Sequence, residues 1–163
     1  MLKEQLQKEL TEALKAGNQL KRLVLGTLMT AIKNKELAKR GQIGKTTNET
    51  RELEQKSQLT NEEIFEVIAG EVKKRKDSIE QFSAGGRMDL ADKERAEMEI
   101  LLAYLPEQLS EEAVKKEVKA VIDELGAKEQ KEMGRVIGAV MAKLKGKADG
   151  GLVSKITKEI LVK

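Results

Sequence analysis

Two lysines stand in a short loop near the C-terminus, in the segment KGKADG over residues 145–150. Apolar residues at helical spacing precede and follow this loop, so Lys145 and Lys147 lie where one predicted helix ends and the next begins. We expect Gly146 to end the first helix and Asp149 to cap the second. Two interpretations stay open: the lysines neutralise the C-terminal dipole of the first helix, or they capture a phosphate beside the N-terminus of the second.

The distribution of charge also points to the C-terminal end of the chain as a binding surface. Residues 1–109 carry 19 basic and 19 acidic side chains, whereas residues 110–163 carry 12 basic and 9 acidic ones, so the net charge of +3 lies entirely in the C-terminal third. A basic surface suits a phosphate backbone, although an ordinary solvated helix face has the same composition. We expect basic residues in both parts of the chain to bind nucleic acid. They are Lys145, Lys147, Lys155 and Lys158 in the C-terminal third, and Lys73, Lys76 and Arg87 before it.

The absence of cysteine and histidine excludes several kinds of chemistry. Thiol nucleophiles, disulfides, Ser-His catalysis and the usual zinc sites all need one of these residues. A Ser-Lys pair remains, but Ser154 and Lys155 are sequence neighbours and point about 100° apart on a helix. We therefore expect no catalytic residue, no metal and no cofactor, and we keep a stand-alone glutamine amidase only as an alternative.

Composition predicts an all-α protein in two parts. Charged residues make up 36% of the chain and aromatic residues only 2%, which leaves no stacking platform for unpaired bases. Apolar stripes predict a four-helix, bundle-like domain over residues 1–105 and a three-helix domain over residues 110–163. The only proline, Pro106, marks a predicted hinge over residues 106–109. No stretch reaches the ~20 apolar residues of a membrane span, and the lack of a signal peptide leads us to expect a cytoplasmic protein without membrane association.

Local signals place the helix ends of the N-terminal domain. Thr60 and Glu63 form the pattern of a capping box, and Gly85-Gly86 is expected to break the helix that follows. The polar segment 41–59 predicts a mobile loop, with a possible helical turn near residues 51–56.

One carboxylate interrupts an apolar stripe. Glu94 lies four residues after Leu90 and four before Met98, and Arg75 interrupts the stripe of the preceding helix between Val72 and Ile79. A buried charge needs a partner, so we predict an inward Arg75–Glu94 ion pair. The alternative is that Glu94 faces a ligand beside the helix.

Small residues recur every four positions in the C-terminal domain, at Gly134, Gly138 and Ala142. Such a row permits close approach of another backbone. We expect it to pack against a neighbouring helix, and a docking groove for a partner is the alternative.

Four stretches together resemble the YqeY family of small bacterial proteins. They are EVKKR at 71–75 with Phe82, GRMDL at 86–90 with Lys93 and Glu94, YLP at 104–106, and Met133-Gly134 followed by KGKAD at 145–149. The resemblance covers nearly the whole chain, and segment 41–59 looks like an insertion.

The resemblance implies a relation to the C-terminal tail of the B subunit of tRNA-dependent amidotransferases, which contacts tRNA. It therefore implies binding of tRNA or another structured RNA, and an alternative role as an adaptor for a synthetase or amidotransferase component. The associated activity, carbon–nitrogen ligation with glutamine as amido-N donor, is expected to belong to the larger enzyme, because this chain has neither its catalytic body nor an amidase.

Overall fold

The computed structural model of the chain describes residues 1–44 and 50–161. All regular elements within these ranges are helices, which confirms the all-α prediction. The chain forms two compact units, Met1–Tyr104 and Leu105–Lys163. The helices of the N-terminal unit are α1 (Leu2–Lys15), α2 (Gln19–Ile43), α3 (Thr50–Ser57), α4 (Asn61–Ala84) and α5 (Met88–Leu102). Those of the C-terminal unit are α6 (Glu111–Leu125), α7 (Met133–Leu144) and α8 (Gly150–Leu161), with a 3-10 turn at Gln130–Glu132.

Helix α4 begins at the predicted capping box. The Thr60 hydroxyl accepts a hydrogen bond from the Glu63 N–H at 3.2 Å, and the Glu63 carboxylate accepts one from the Thr60 N–H at 2.8 Å. These reciprocal bonds satisfy N–H groups that have no partner inside the helix.

The predicted loop 41–59 is largely helical where it is described. Helix α2 continues to Ile43, and α3 occupies Thr50–Ser57, while residues 45–49 of the predicted loop lie outside the described residues. Leu53 is half-buried and Leu59 is buried, so this polar segment has enough apolar surface to pack against α2. The loop prediction is therefore wrong for residues 41–43, whereas α3 confirms the helical turn expected near residues 51–56.

Helices α4 and α5 form an antiparallel hairpin around the two glycines. Gly85 ends α4, Gly86 adopts a φ of +70°, and the Arg87 N–H donates to the Phe82 carbonyl at 2.8 Å. The positive φ at Gly86 is the left-handed conformation that glycine adopts without strain. The turn fixes the register, so residues equally distant from Gly86 lie side by side on the two helices.

Each unit has its own apolar core. In the N-terminal unit the fully buried large side chains come from α1, α2, α4 and α5: Leu6, Leu25, Leu28, Ile32, Ile64, Ile68 and Leu101. In the C-terminal unit one aliphatic cluster joins α6, α7 and α8, and its fully buried members include Val114, Val118, Val136, Val140, Val153 and Ile156. Across the described ranges no helix is apolar enough over a sufficient length to span a membrane.

Candidate nucleic-acid interface

The loop between α7 and α8 presents Lys145 and Lys147 from a tightly bonded backbone. Lys145 has a φ of +46°, the left-handed region that side-chain-bearing residues seldom occupy, and its N–H donates to the Met141 carbonyl at 3.1 Å. The Lys147 N–H donates to the Leu144 carbonyl at 3.0 Å. Helix α7 thus ends at Leu144 with Lys145 as its cap, one residue earlier than the expected cap at Gly146.

Residues just before α6 fix this loop in place. The Leu109 N–H donates to the Lys147 carbonyl at 2.8 Å, and the Gln108 side-chain amide donates to the Gly146 carbonyl at 2.8 Å. Ala148, only 4% exposed, anchors the loop in the aliphatic cluster. The loop backbone is therefore ordered while both lysine side chains are exposed.

Asp149 occupies the start of α8. One of its carboxylate oxygens accepts hydrogen bonds from the N–H groups of Gly151 and Leu152, at 2.7 and 3.1 Å. This is the cap that the sequence predicted, and it places a negative charge at the positive end of the helix. A phosphate near this loop therefore has lysine side chains as its main donors, since these two backbone groups already have an acceptor.

Lys155 and Lys158 share the solvent face of α8. Both are exposed, whereas Val153 and Ile156 on the opposite face are buried. Residues three apart on a helix have neighbouring side chains, about 5–6 Å apart at Cβ. The two lysines therefore form one positive strip.

Lys145, Lys147, Lys155 and Lys158 are here called the four-lysine set. Within the described part of the C-terminal unit, none of them has an acidic side chain within ion-pairing distance. Lys143 differs, because its amine lies 3.3 Å from the Glu117 carboxylate. The set is thus a group of exposed charges that no carboxylate neutralises at close range.

The small-residue row faces solvent. Gly134, Gly138 and Ala142 are all exposed. Apart from the glycine itself, its chain neighbours and the nearby backbone of α7, no described atom lies within 4 Å of the position that a Cβ would take on either glycine. The expectation that this row packs against a neighbouring helix is wrong. The reason is that the buried face of α7 is formed by Val136, Val140 and Leu144 instead.

The basic candidates of the N-terminal unit are less available. Arg87 is exposed, but its guanidinium donates two hydrogen bonds to the Asp89 carboxylate at 3.1 and 3.0 Å. This interaction lowers the pKa of Asp89 and raises that of Arg87. Lys73 and Lys76 are exposed on α4. Among the described residues, Arg87 is therefore a cation that a carboxylate already compensates.

Arg75 pairs inward, but Glu94 is not its partner. The Arg75 guanidinium donates to the Glu97 carboxylate at 3.1 Å and, with weaker geometry, to the Glu71 carboxylate at 3.4 Å. All three residues are at least nine-tenths buried, whereas Glu94 is half-buried. Arg75 and Glu97 each lie eleven residues from Gly86, so the hairpin register brings them level. The predicted Arg75–Glu94 pair is therefore wrong, and the distance from the turn was the signal that identifies Glu97.

A second polar cluster was not predicted. The Glu9 carboxylate accepts hydrogen bonds from Lys21 Nζ at 2.7 Å, the Tyr104 hydroxyl at 2.6 Å and the Gln5 amide at 3.0 Å. The bond from Lys21, followed by those from Tyr104 and Gln5, lowers the pKa of Glu9 to about 2. Burial and the bond to Glu9 raise the pKa of Tyr104 to about 12. These contacts fasten the end of α5 to α1 and α2.

Acidic side chains do not converge on a metal-binding geometry anywhere in residues 1–44 or 50–161. The described carboxylates instead serve as helix caps and ion-pair partners, as at Glu63, Glu97 and Asp149.

Comparison with known proteins gives a family and several fungal relatives. The family model described as "Yqey-like protein" matches residues 3–161. "Altered inheritance of mitochondria protein 41, mitochondrial" of Saccharomyces cerevisiae strain S288c is 33% identical over 126 residues, which cover 76% of this chain and 60% of the yeast protein. The proteins of the same description from Pyrenophora tritici-repentis and Candida glabrata are 31% and 30% identical, each over 63% of this chain and over 58% and 48% of their own lengths.

These relatives correct two expectations. Their description places them in mitochondria, which contradicts the cytoplasmic location expected from the sequence. They come from fungi, so a bacterial source has no support among them. The matched stretch spans about 60% or less of each of these relatives' length.

Proposed function

The chain belongs to the YqeY family, and we propose that it is a binding module for structured RNA, with tRNA as the ligand class, whose main contact surface is the four-lysine set. The observation that carries the proposal is that these four lysines are exposed and have no close carboxylate within the described C-terminal unit. A lysine already paired with a carboxylate must lose that partner before it binds phosphate. The four-lysine set has no such penalty.

The ordered loop supports the same assignment. Lys145 remains in the left-handed region although this costs about 1–2 kcal/mol for a residue with a Cβ, and three backbone hydrogen bonds hold residues 145–147 in place. Unusual backbone conformations concentrate at functional sites. A fixed loop presents its two charges with less loss of conformational entropy on binding than a flexible one.

The composition determines how the RNA would be recognised. With two phenylalanines, one tyrosine and no tryptophan in the chain, stacking on unpaired bases has few residues to use. Lysine contacts to phosphates fix position and register without reading bases. We therefore propose recognition of a folded RNA by its shape and backbone, as expected for double-helical segments.

The amidotransferase relation has a limited meaning in this proposal. Glutamine-dependent carbon–nitrogen ligation needs a nucleophile and an oxyanion-stabilising site, and the chain contains no cysteine or histidine to activate one. We propose that the chain shares the RNA-binding part of that system and that catalysis belongs to the larger enzyme.

A titration with bulk tRNA at low salt tests the proposal. The Lys145→Glu/Lys147→Glu variant is expected to bind at least ten-fold more weakly than the wild type. The matched control is Lys115→Glu/Lys119→Glu, because these two lysines are also exposed, also lie in the C-terminal unit and also lack a close carboxylate. Equal losses in both variants would show a nonspecific charge effect, and the proposed surface would then be wrong.

A protein adaptor is the second candidate, and the exposed small-residue row favours it. Gly134, Gly138 and Ala142 form a smooth strip on α7 that another helix backbone can approach closely. The partner would be a synthetase or amidotransferase component. Affinity capture from cells with and without nuclease separates the two functions: a partner released by nuclease supports RNA binding, and a nuclease-resistant partner lost on Gly138→Leu supports the adaptor.

A further inference from the structure

An open groove runs between α1 and α2 on the N-terminal unit. It has a volume of about 590 Å³ and is lined by Leu10 and Leu14 of α1 and by Leu23 and Gly26 of α2, among others. Leu14 and Leu23 are 59% and 51% exposed, although both helices have interior positions filled by other apolar residues. Exposed apolar side chains that share one groove offer a contact surface, whereas apolar residues exposed singly are ordinary.

The threonines that line the α1/α2 groove offer little hydrogen-bonding capacity to a ligand. Thr11, Thr27 and Thr30 line the groove, and each hydroxyl donates at 3.0 Å to the carbonyl four residues earlier in its own helix. Their hydroxyl protons are thereby engaged within the helix. A polar small molecule would find few free hydrogen-bond donors in the groove, whereas an apolar side chain needs none.

Gly26 makes the groove accessible to a helix. Apart from Gly26 itself, its chain neighbours and the nearby backbone of α2, no described atom lies within 4 Å of the position that a Cβ would take on Gly26. A missing side chain between two leucine-bearing helices leaves a depression into which the ridge of another helix can pack. A flat surface such as a bilayer does not complement this concave shape.

The charges bordering the groove select the occupant. Arg22, Gly26 and Thr30 follow one another at four-residue intervals on α2, and Lys33 lines the adjoining continuation of the groove. Arg22 and Lys33 are exposed and have no acidic partner within the described N-terminal unit. Eleven residues of helix separate them, which corresponds to about 16 Å along the axis. Lys3, the other cation of the continuation, is neutralised by Glu36 at 2.7 Å.

We propose that the α1/α2 groove binds an amphipathic helix of a partner protein, whose apolar stripe is flanked by acidic residues about three turns apart. The acidic residues pair with Arg22 and Lys33, and the apolar stripe covers Leu14 and Leu23. A second copy of this chain does not fit as well, because two identical grooves would bring these uncompensated cations together. This site lies in the N-terminal unit and does not depend on RNA binding by the four-lysine set.

Peptide display against the full-length chain tests this proposal. The probe is a library of helical 20-residue peptides with a randomised apolar stripe and randomised flanking positions. The proposal predicts recovery of peptides with Asp or Glu ten to eleven positions apart around an apolar stripe of spacing three and four. The recovered peptides are then titrated into the variants described below.

Gly26→Leu is the decisive variant. Leucine has a much higher helix propensity than glycine, and a Cβ at Gly26 meets no neighbouring element, so we expect the fold to be retained while the leucine side chain fills the groove. Binding of the recovered peptides should fall at least ten-fold in Gly26→Leu and in Arg22→Glu/Lys33→Glu. The matched control is Gly70→Leu on α4, where a Cβ also meets no described atom, and it should bind normally.

Three outcomes would overturn the proposal. The first is recovery of peptides without the acidic flanks, or of none. The second is binding that Gly26→Leu leaves unchanged. The third is another occupant: dimerisation in sedimentation velocity that Leu23→Glu abolishes, or flotation with anionic vesicles that the same substitution abolishes.

Discussion

In the N-terminal unit cations bind carboxylates on other helices, whereas the C-terminal unit leaves a group of its cations exposed. Lys3 pairs with Glu36, Lys21 with Glu9, and Lys39 with Glu63, at 2.7, 2.7 and 2.8 Å. In the described part of the C-terminal unit such contacts come from one lysine, Lys143, whose amine lies 3.3 Å from the Glu117 carboxylate and 4.0 Å from that of Glu124 on α6.

The interiors of the two units also differ in whether they contain charged residues. Glu71, Arg75 and Glu97 are buried in the N-terminal unit, whereas the aliphatic cluster joining α6, α7 and α8 contains no charged residue. A buried ion pair usually adds little net stability, but its loss is costly because it leaves a charge without a partner. The comparison teaches that the same residue type has two roles: the lysines paired across helices in the N-terminal unit are structural, whereas the four-lysine set of the C-terminal unit is available for binding.

The largest effect is expected at Arg75. Arg75→Met leaves the Glu97 carboxylate buried without its guanidinium, whereas Glu71 keeps a hydrogen bond from Lys74 at 2.6 Å, so we expect a loss of about 3–5 kcal/mol in the free energy of unfolding. Urea denaturation of the full chain, followed by circular dichroism, measures it. Lys73→Met on the exposed side of α4 is the control and should change stability by less than about 0.5 kcal/mol.

A comparison of Glu97 with Glu94 tests which of these carboxylates pairs with Arg75. Glu97→Gln should cost about 1–3 kcal/mol, because a charge-assisted hydrogen bond to a buried guanidinium is weakened. Glu94→Gln, one turn earlier on α5, should be close to neutral. Equal losses at both positions would show that the register derived from Gly86 does not describe the protein.

The sequence predicted helix type and several helix ends correctly, because these depend on local chemistry. Thr60 and Asp149 act as caps where their residue types indicated. The partner of Arg75 was missed because an apolar stripe gives a face of a helix and does not give the level at which two helices meet. Leu14 was missed for a similar reason: it continues the stripe of Leu6, but periodicity does not show which part of a stripe another helix covers.

The candidate site was predicted only in outline. The lysine positions follow from the sequence, whereas their pairing state depends on which carboxylates the fold brings close. Arg87 illustrates this, because Asp89 is two residues away and binds its guanidinium. The left-handed φ of Lys145 was also unpredicted, since glycine at 146 was the stronger candidate for ending α7.

The Glu9 cluster gives a pH-dependent prediction of intermediate size. The pKa of the Glu9 carboxyl is lowered from an ordinary value of 4.5 to about 2 in the folded protein. The ionised carboxylate therefore contributes stability above pH 4.5, and this stability is lost as the pH falls towards 2. We expect about 1–2 kcal/mol from this cluster, allowing for its partial exposure to solvent. Thermal denaturation between pH 2 and 6 should show a shallower decline in Glu9→Gln than in the wild type.

The exposed Glu12→Gln variant is the control for the Glu9 experiment and should reproduce the wild-type pH profile. At high pH the direction is reversed for Tyr104: its pKa is raised from 10 to about 12, so its contribution to stability is present below pH 10 and is lost as the pH rises towards 12. A profile of Glu9→Gln parallel to that of the wild type would remove the cluster from the account of N-terminal stability.

The smallest change in stability is expected for a substitution of Lys145, and this change is an increase. Glycine adopts the left-handed conformation without the Cβ penalty, so Lys145→Gly should stabilise the C-terminal unit by about 0.5–1 kcal/mol. The same substitution removes one positive charge and should weaken tRNA binding. Opposite changes in melting temperature and affinity would separate a binding role for this lysine from a structural one, whereas a loss of stability would support the structural role.

The salt dependence of tRNA binding tests the central claim most directly. Each phosphate contact made by a lysine contributes about 0.7–0.9 to the slope of log K against log salt concentration. Replacing the four-lysine set by glutamine should therefore reduce the slope by about 3 while the circular dichroism spectrum stays unchanged. A slope equal to that of the wild type would show that these four lysines do not contact RNA phosphates, and the proposed interface would be wrong.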